Sequence, residues 1–152
     1  YEIELCLVGS EMCIRYSLKT EFKHLKYFYF HNCVYESVWE DNRRRTQERF
    51  LVQDIINKYS ADYKVIFVGD ATMAPYEITN AGGSIEHWNE EPGGATIKRL
   101  CAHFDRVAWL NPVPDDHWDY TSSLCIIREL IDNRMFPLTL KGLEEGMSEL
   151  SK

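Results

Sequence analysis

The sequence has no long hydrophobic run and no secretory signal. A membrane-spanning helix needs roughly 20 consecutive apolar residues, and no stretch of this chain comes near that length. No basic segment followed by an apolar stretch opens the chain, so no signal peptide is predicted. We therefore expect a soluble, cytoplasmic protein that does not enter a membrane. Because the chain begins at Tyr1 and not at a methionine, we also expect its natural start to be missing.

Positive charge is also scarce. The 17 Lys and Arg residues are outnumbered by 24 Asp and Glu, which gives a formal net charge of -7 at pH 7. A general binder of nucleic-acid phosphates needs a positive face, so no nucleic-acid partner is predicted. The one basic run, residues 43–45, is flanked by Glu40, Asp41 and Glu48. A solvated loop explains this run better than a phosphate site does.

Paired cysteines are absent as well. The 5 cysteines are odd in number and include no Cys-x-x-Cys pair. Reduced thiols in a cytosolic protein explain this pattern better than a disulfide framework does. A zinc site built on His31 and Cys33, or on Cys101 and His103, would need matching ligands elsewhere, and none stands out. Zinc is therefore not expected.

Apolar patterns alternate between helix and strand from Thr46 to the end of the chain. Thr46 can cap a helix whose apolar stripe begins at Val52. Residues 64–69 and 107–110 contain short, continuous apolar runs, typical of parallel strands covered on both faces. Two aromatic-rich strands with a tight connection precede them, over residues 26–39. This order predicts an α/β fold with a doubly wound, mostly parallel sheet and helices on both sides.

Residues 1–20 do not fit this pattern. Residues 7–18 (LVGSEMCIRYSL) have neither clean helical nor clean strand periodicity, and they resemble a peptide that arises when sequencing-adapter DNA is translated. One interpretation treats residues 1–20 as an irregular or artefactual segment, so that the first strand of the domain is missing. The alternative is an ordinary first strand, residues 2–8, followed by a loop.

Asp70 is the main candidate for a functional side chain. It directly follows the apolar run of residues 64–69 and precedes a loop that contains Glu77. In open α/β sheets, ligands bind beyond the carboxyl ends of the parallel strands. A carboxylate placed there can ligate a hard cation such as Mg²⁺. Aspartate is also common in turns, so the spacing alone leaves a turn-capping role open.

Four segments, in order along the chain, carry a resemblance to a known family. They are residues 21–36 (EFKHLKYFYFHNCVYE), 63–77 (YKVIFVGDATMAPYE), 109–112 (WLNP) and 135–143 (MFPLTLKGL). On these segments, residues 21–152 resemble the von Willebrand factor A domain of bacterial CoxE-like proteins. The resemblance implies a Rossmann-like fold that carries a metal-ion-dependent adhesion site instead of a phosphate loop.

That site has three parts in the family: a D-x-S-x-S loop after the first strand, a threonine from a later loop and an aspartate after the fourth strand. Asp70 matches the aspartate, and Thr46 is the match for the threonine, although a helix cap explains Thr46 equally well. The D-x-S-x-S element is not present, because residues 7–12 (LVGSEM) lack the leading aspartate. We therefore expect Mg²⁺ in the intact domain, and weak or no Mg²⁺ binding by this chain.

The resemblance further implies a protein-interaction module without enzyme activity. In the family a partner's carboxylate completes the metal shell, and CoxE-like proteins are associated with AAA+ ATPases of the MoxR type. The alternative is a metal-dependent hydrolase in which Asp70 holds the ion and His87 or His117 is the general base. The sequence offers no Ser-His-Asp motif, nucleophile elbow or glycine-rich phosphate loop. Trp88 and Trp118 either form an aromatic rim for a partner or pack within their loops.

Overall fold

The structure is a computed structural model that describes residues 4–9, 25–40, 49–84 and 87–152. These residues form a mixed α/β fold. The strands are β1 (Glu4–Gly9), β2 (Leu25–Phe30), β3 (Ser37–Trp39), β4 (Arg49–Leu51), β5 (Lys64–Val68), β6 (Gly82–Ser84), β7 (His87–Asn89), β8 (Arg106–Asn111) and β9 (Met135–Pro137). The helices are α1 (Val52–Lys58), α2 (Pro75–Thr79), α3 (Gly93–His103), a 3-10 helix (Asp115–Tyr120), α4 (Ser122–Leu130) and α5 (Leu140–Leu150). None of these helices combines the length and apolar character needed to cross a membrane.

Seven of the strands form one sheet in the order β4-β3-β2-β1-β5-β8-β9. The five neighbouring strands from β2 to β9 are mutually parallel, whereas β3 and β4 run antiparallel to their neighbours. Strands β6 and β7 pair separately as an antiparallel hairpin. The predicted α/β class and mostly parallel sheet are therefore confirmed.

The central strand of this sheet is β1, at the beginning of the chain. Val8 pairs with Val68 of β5, and Gly9 pairs with Phe30 of β2. The expectation that the first strand is missing is therefore wrong, and the alternative of an ordinary first strand describes residues 4–9. The physical reason is local: Leu7 is fully buried, in a short apolar run of the kind that central strands have. The strand pattern of residues 4–9 was hard to recognise in the sequence, because polar residues without periodicity follow Gly9. Residues 10–20 lie outside the described part of the chain.

Helices lie on both faces of the sheet. Side chains on successive strand residues point to opposite faces, so each central strand contributes to two cores. Phe67 and Trp109 belong to a core that also contains the buried residues of α1, α3 and α4. Val68 and Leu110 belong to the other core, which α5 covers with Leu150. Fully burying a large apolar side chain contributes about 1.5–3 kcal/mol each. Both faces of β5 and β8 are thus covered by other parts of the core.

Helix α1 begins later than the sequence pattern predicts. Val52 and Ile55 of the predicted apolar stripe are buried in α1, as expected. However, Arg49–Leu51 pairs with β3 as the short edge strand β4, and Leu51 occupies the N-cap position of the helix. The interpretation of Thr46 as the cap of this helix is therefore wrong. Thr46 itself lies outside the described residues.

Candidate functional site

Asp70 stands where β5 leaves the sheet. Val65 to Val68 are buried, the Gly69 N–H still donates to the Leu110 carbonyl oxygen at 3.2 Å, and the Asp70 side chain is exposed. This is the carboxyl end of a covered parallel strand, the position at which α/β sheets bind ligands. The predicted location of Asp70 is confirmed. It follows the fifth described strand and not the fourth, because the short strand β4 precedes α1.

The Asp70 carboxylate is part of a tight turn. Its Oδ1 accepts a 2.9 Å hydrogen bond from the backbone N–H of Thr72, and the Thr72 hydroxyl lies 3.4 Å from the Asp70 carbonyl oxygen. Between them, Ala71 has a φ of 58°, in the left-handed region that residues with a side chain seldom adopt. The turn-capping role is therefore real. It uses one carboxylate oxygen, and within the described residues no lysine or arginine forms an ion pair with Asp70.

Three buried side chains hold the backbone of this turn. The Trp109 indole Nε1–H donates to the carbonyl oxygen of residue 69 at 2.8 Å, and the Asn111 amide Nδ2–H donates to that of residue 70 at 2.9 Å. The Ser123 hydroxyl donates to the carbonyl oxygen of residue 71 at 2.8 Å. All three donors are at most 1% exposed. The sequence analysis missed them as site residues. The available signal was that Asn111 directly follows the buried run of β8, at the same edge as Asp70.

The end of β1 lies beside the end of β5. Val8 pairs with Val68, and in the sequence Ser10 comes two residues after Val8, as Asp70 comes two residues after Val68. The family would have the leading aspartate of D-x-S-x-S after this first strand, whereas this chain continues with Ser10-Glu11-Met12. Ser10 and the following loop lie outside the described residues, as does Thr46, so Asp70 is the predicted ligand that the structure places.

The described donors do not by themselves make a cage for a cation. A carboxylate is the kind of ligand that Mg²⁺ prefers, and Mg²⁺ takes six oxygen ligands, several of them waters. Among residues 4–9, 25–40, 49–84 and 87–152, no group of three His, Cys, Asp or Glu side chains is placed to hold a metal ion. Among the described residues, Asp70 therefore supplies one carboxylate of the type that Mg²⁺ prefers.

Glu77, which follows Asp70 in the predicted binding loop, has a structural role. Its Oε1 accepts hydrogen bonds from Asn32 Nδ2 at 3.1 Å and from the Tyr35 hydroxyl at 3.3 Å, and its Oε2 accepts from the Ala74 N–H at 3.3 Å. Glu77 thus ties the loop after β2 to the first turn of α2. Burial raises the pKa of the Tyr35 phenol, and the nearby Glu77 charge raises it further. Burial also raises the pKa of the neighbouring Cys33 thiol to about 12, so that this thiol stays protonated well into the alkaline range.

The aromatic side chains of the loops divide into two groups. Trp118 is only 5% exposed, and its indole N–H donates to the Val113 carbonyl oxygen at 2.8 Å, so it packs within its loop. Trp88 is 64% exposed and agrees with the rim interpretation. Tyr76 and Tyr120, which the sequence analysis did not single out, are 66% and 88% exposed. They lie in the segments that follow β5 and β8.

The candidate bases of the hydrolase interpretation are not joined to Asp70 by the described contacts. His117 is exposed in the 3-10 helix, and its Nε2 lies 3.6 Å from Asp116 Oδ1. His87 lies in β7, and its side chain is outside what the structure describes. Within the described residues, no hydrogen bond or ion pair connects His117 with Asp70.

Comparisons with models of protein families, with curated proteins and with solved structures find no match for this chain. The resemblance to von Willebrand factor A domains therefore rests on the four sequence segments given above, and it stays a prediction.

Proposed function

We propose that this chain is a protein-interaction module of the von Willebrand factor A type, with a doubly wound sheet and a partial metal-ion-dependent adhesion site at Asp70. The observation that carries the proposal is the position of this carboxylate. It is exposed at the carboxyl end of the buried strand β5, beside the end of the central strand β1. Five parallel strands with helices on both faces support the fold part of the proposal.

The chemistry of the proposed site is that of a hard cation held by oxygen ligands. When bound, Mg²⁺ would supply the positive charge that attracts a carboxylate of the partner. This chain contributes the Asp70 carboxylate, held in one orientation by the Thr72 N–H. Thr46 is the proposed second ligand, by resemblance. Because no D-x-S-x-S loop follows β1, we expect the natural chain to bind Mg²⁺ weakly or not at all.

The proposed partner is a protein, and the resemblance favours an AAA+ ATPase of the MoxR type. Exposed aromatic side chains in the segment between β5 and α3, among them Tyr76 and Trp88, offer apolar area to a partner. Such side chains often carry much of the binding energy in protein interfaces. The metal-dependent hydrolase in which Asp70 holds the ion stays the alternative, and the substrate panel described below tests it.

Restoring the missing loop tests the metal site directly. The combined substitutions Ser10→Asp, Met12→Ser and Ile14→Ser create a D-x-S-x-S element whose aspartate comes two residues after Val8, as Asp70 comes two residues after Val68. We expect isothermal calorimetry to show Mg²⁺ binding at least about tenfold tighter than that of the natural chain.

The matched control adds Asp70→Asn to the same triple variant, and it should lose the gained affinity. Asparagine keeps the size of the side chain and an oxygen for the Thr72 N–H, and removes the charge. The proposal is wrong if the triple variant folds and binds Mg²⁺ no better than the natural chain, or if Asp70→Asn leaves the gain intact. Micromolar Mg²⁺ affinity in the natural chain would contradict the expected weak binding.

Capture of a purified MoxR-type ATPase tests the partner. In the triple variant, which is expected to bind Mg²⁺, Asp70→Asn should abolish capture in the presence of Mg²⁺, whereas Asp115→Asn, which neutralises another exposed aspartate, should leave it unchanged. A panel of ester and phosphoester substrates should show no turnover. Turnover that disappears with Asp70→Asn would instead support the hydrolase alternative.

A further inference from the structure

We infer that Asn111 and Ser123 are positioning residues, which fix the orientation of the Asp70 carboxylate by binding the backbone on either side of it. The inference rests on the proposed function in one respect: Asp70 must be the group whose orientation matters. The arrangement itself is independent of any metal or partner. Neither side chain contacts the carboxylate, which is held by the Thr72 N–H.

The first part of the argument is the accounting of backbone hydrogen bonds. A strand that leaves a sheet loses its ladder partners, and in most surface loops water takes their place. Here the carbonyl groups of residues 69–71 all accept instead from side chains on other elements, namely Trp109, Asn111 and Ser123. Three successive carbonyl groups held by buried donors make an exposed turn unusually well fixed.

Asn111 is itself fixed in one orientation. Its Nδ2 donates to the Asp70 carbonyl oxygen at 2.9 Å, and its Oδ1 accepts from the Val113 N–H at 2.8 Å. The same Nδ2 lies 3.5 Å from the Met135 sulfur. Because donor and acceptor ends have different partners, the amide cannot be turned around without losing both bonds. Asn111 therefore holds the Asp70 backbone against β8 and the segment that follows it.

Ser123 closes the turn from the other side. Its hydroxyl donates to the Ala71 carbonyl oxygen at 2.8 Å and accepts from the Met73 N–H at 3.2 Å. One side chain of α4 thus bridges two residues of the loop, with Thr72 between them. Removing this hydroxyl frees the segment that carries the N–H bound by Asp70 Oδ1.

The backbone conformation of Ala71 shows what these bonds maintain. Ala71 is 2% exposed and has a φ of 58°, while the preceding Asp70 is exposed. A left-handed conformation at a residue other than glycine persists only where the surroundings determine it. The consequence is that the methyl group of Ala71 is buried and the carboxylate of Asp70 faces solvent. Binding sites gain affinity when a ligand group is fixed in this way before the ligand arrives.

Hydrogen exchange of single amides in the natural chain tests the inference. The reporter is the Thr72 amide, because its acceptor is the Asp70 carboxylate and neither positioning residue touches it. In Ser123→Ala, we expect exchange at Thr72 to become about fivefold to tenfold faster, with amides of β5 unchanged. The conservative variant Ser123→Thr, which keeps the hydroxyl, should restore slow exchange.

A second variant and a control distinguish a local effect on the turn from a general loss of stability. Asn111→Asp keeps an acceptor for the Val113 N–H and removes the amide donor to Asp70, and it should also speed exchange at Thr72. Thr96→Val removes a fully buried hydroxyl that has no hydrogen-bond partner in the described structure, and it should leave Thr72 unchanged. The inference is overturned if Thr72 keeps its natural exchange rate in Ser123→Ala, or if β5 and Thr72 speed up equally.

The effect of this positioning on metal binding is measured in the triple variant that is expected to bind Mg²⁺. There, Ser123→Ala should weaken Mg²⁺ binding about fivefold to tenfold, while Thr96→Val leaves it unchanged. An unchanged affinity with Ser123→Ala overturns the link between positioning and binding. If the triple variant binds no Mg²⁺, the proposed metal site is wrong, and the exchange rates at Thr72 still decide whether Ser123 and Asn111 position the turn.

Discussion

The indole Nε1–H of Trp109 donates a 2.8 Å hydrogen bond to the carbonyl oxygen of Gly69, one residue before Asp70. The same indole stacks on Phe67, with ring centroids 5.1 Å apart and an interplanar angle of 21°, and meets the ring of Phe30 edge-on. A fully buried core side chain thus also determines where β5 ends. Trp109 thus joins the aromatic core of the protein to the turn that carries the candidate ligand.

Trp109→Phe separates these two roles. Phenylalanine keeps an aromatic ring on Phe67 but leaves the Gly69 carbonyl without its donor, and it leaves a small cavity. We expect a loss of about 2–4 kcal/mol in the free energy of unfolding, measured by urea denaturation. We also expect faster hydrogen exchange at the Thr72 amide.

Trp118→Phe is the matched comparison, because Trp118 also donates a 2.8 Å indole hydrogen bond to a carbonyl oxygen, that of Val113. This variant should lose stability as well, but leave exchange at Thr72 unchanged. Equal effects of the two variants on Thr72 would mean that the turn responds to global stability and not to Trp109.

A second prediction concerns two glycines of α5 that face the sheet. A Cβ added at Gly142 would overlap the Pro137 carbonyl oxygen, whereas a Cβ at Gly146 would lie 3.4 Å from Leu110 Cδ2 and from Phe136 Cδ2. Gly142→Ala must therefore push the helix away from β9, and we expect a loss of about 1–3 kcal/mol. Gly146→Ala should be neutral, or stabilising by up to about 1 kcal/mol, because alanine favours the helix.

Urea denaturation of the two variants measures this difference within one helix. Both variants keep the N-cap residue Thr139, whose hydroxyl accepts from the N–H of residue 142 at 3.0 Å. A Gly142→Ala protein as stable as the Gly146→Ala protein would show that α5 does not pack on β9 as closely as described.

Much of the fold follows from local sequence patterns. The strands β5 and β8 were predictable because each is a continuous apolar run ended by glycine or by Asn111-Pro112, and such runs suit strands covered on both faces. Strand β1 was predicted only as the alternative, because its apolar run is followed by residues without periodicity. Strands β4, β6 and β7 are three residues each. Whether such short segments form strands depends on their partners more than on their own composition.

The candidate site was predictable only in part, because some of its contacts join residues that are far apart in the sequence. The place of Asp70 follows from the end of a strand, which is local information. The bonds from Asn111 and Ser123 join residues 41 and 52 positions apart in the chain. Such contacts depend on which strands are neighbours and how α4 lies over them. The sequence supplies the donors, and the three-dimensional fold decides what they bind.

A third prediction distinguishes a structural role of Glu77 from a partner-binding one. Glu77→Gln keeps the size of the side chain and one oxygen, replaces the other oxygen with an NH2 group, and removes the charge beside Tyr35. Burial is the main cause of the raised pKa of Tyr35, and the Glu77 charge adds to it. We therefore expect a lower, though still raised, Tyr35 pKa in the variant, followed by the ultraviolet absorbance of tyrosinate on alkaline titration. A Tyr35→Phe protein identifies the signal, and an identical titration curve in Glu77→Gln would contradict the contact.

The last prediction concerns stability at alkaline pH, and its sign follows from the burial of Cys33. In the folded protein burial raises the pKa of this thiol from 9.0 to about 12, while the unfolded chain keeps the ordinary value. Between these limits the folded state retains a proton that the unfolded state has lost. The stabilisation is complete below about pH 9 and is lost as the pH rises towards 12. One proton corresponds to a slope of about 1.4 kcal/mol per pH unit.

Cys33→Ala removes this titration at the cost of a small cavity. Its free energy of unfolding should start lower at neutral pH, but fall less steeply above pH 9 than that of the natural chain. Cys101→Ala is the comparison, because burial raises the pKa of that thiol to about 11, so its effect should end at a lower pH. Urea denaturation at a series of pH values measures both slopes. Parallel curves for the natural chain and Cys33→Ala would show that the thiol ionises in the folded state as readily as in the unfolded chain, and that Cys33 is not buried beside Glu77.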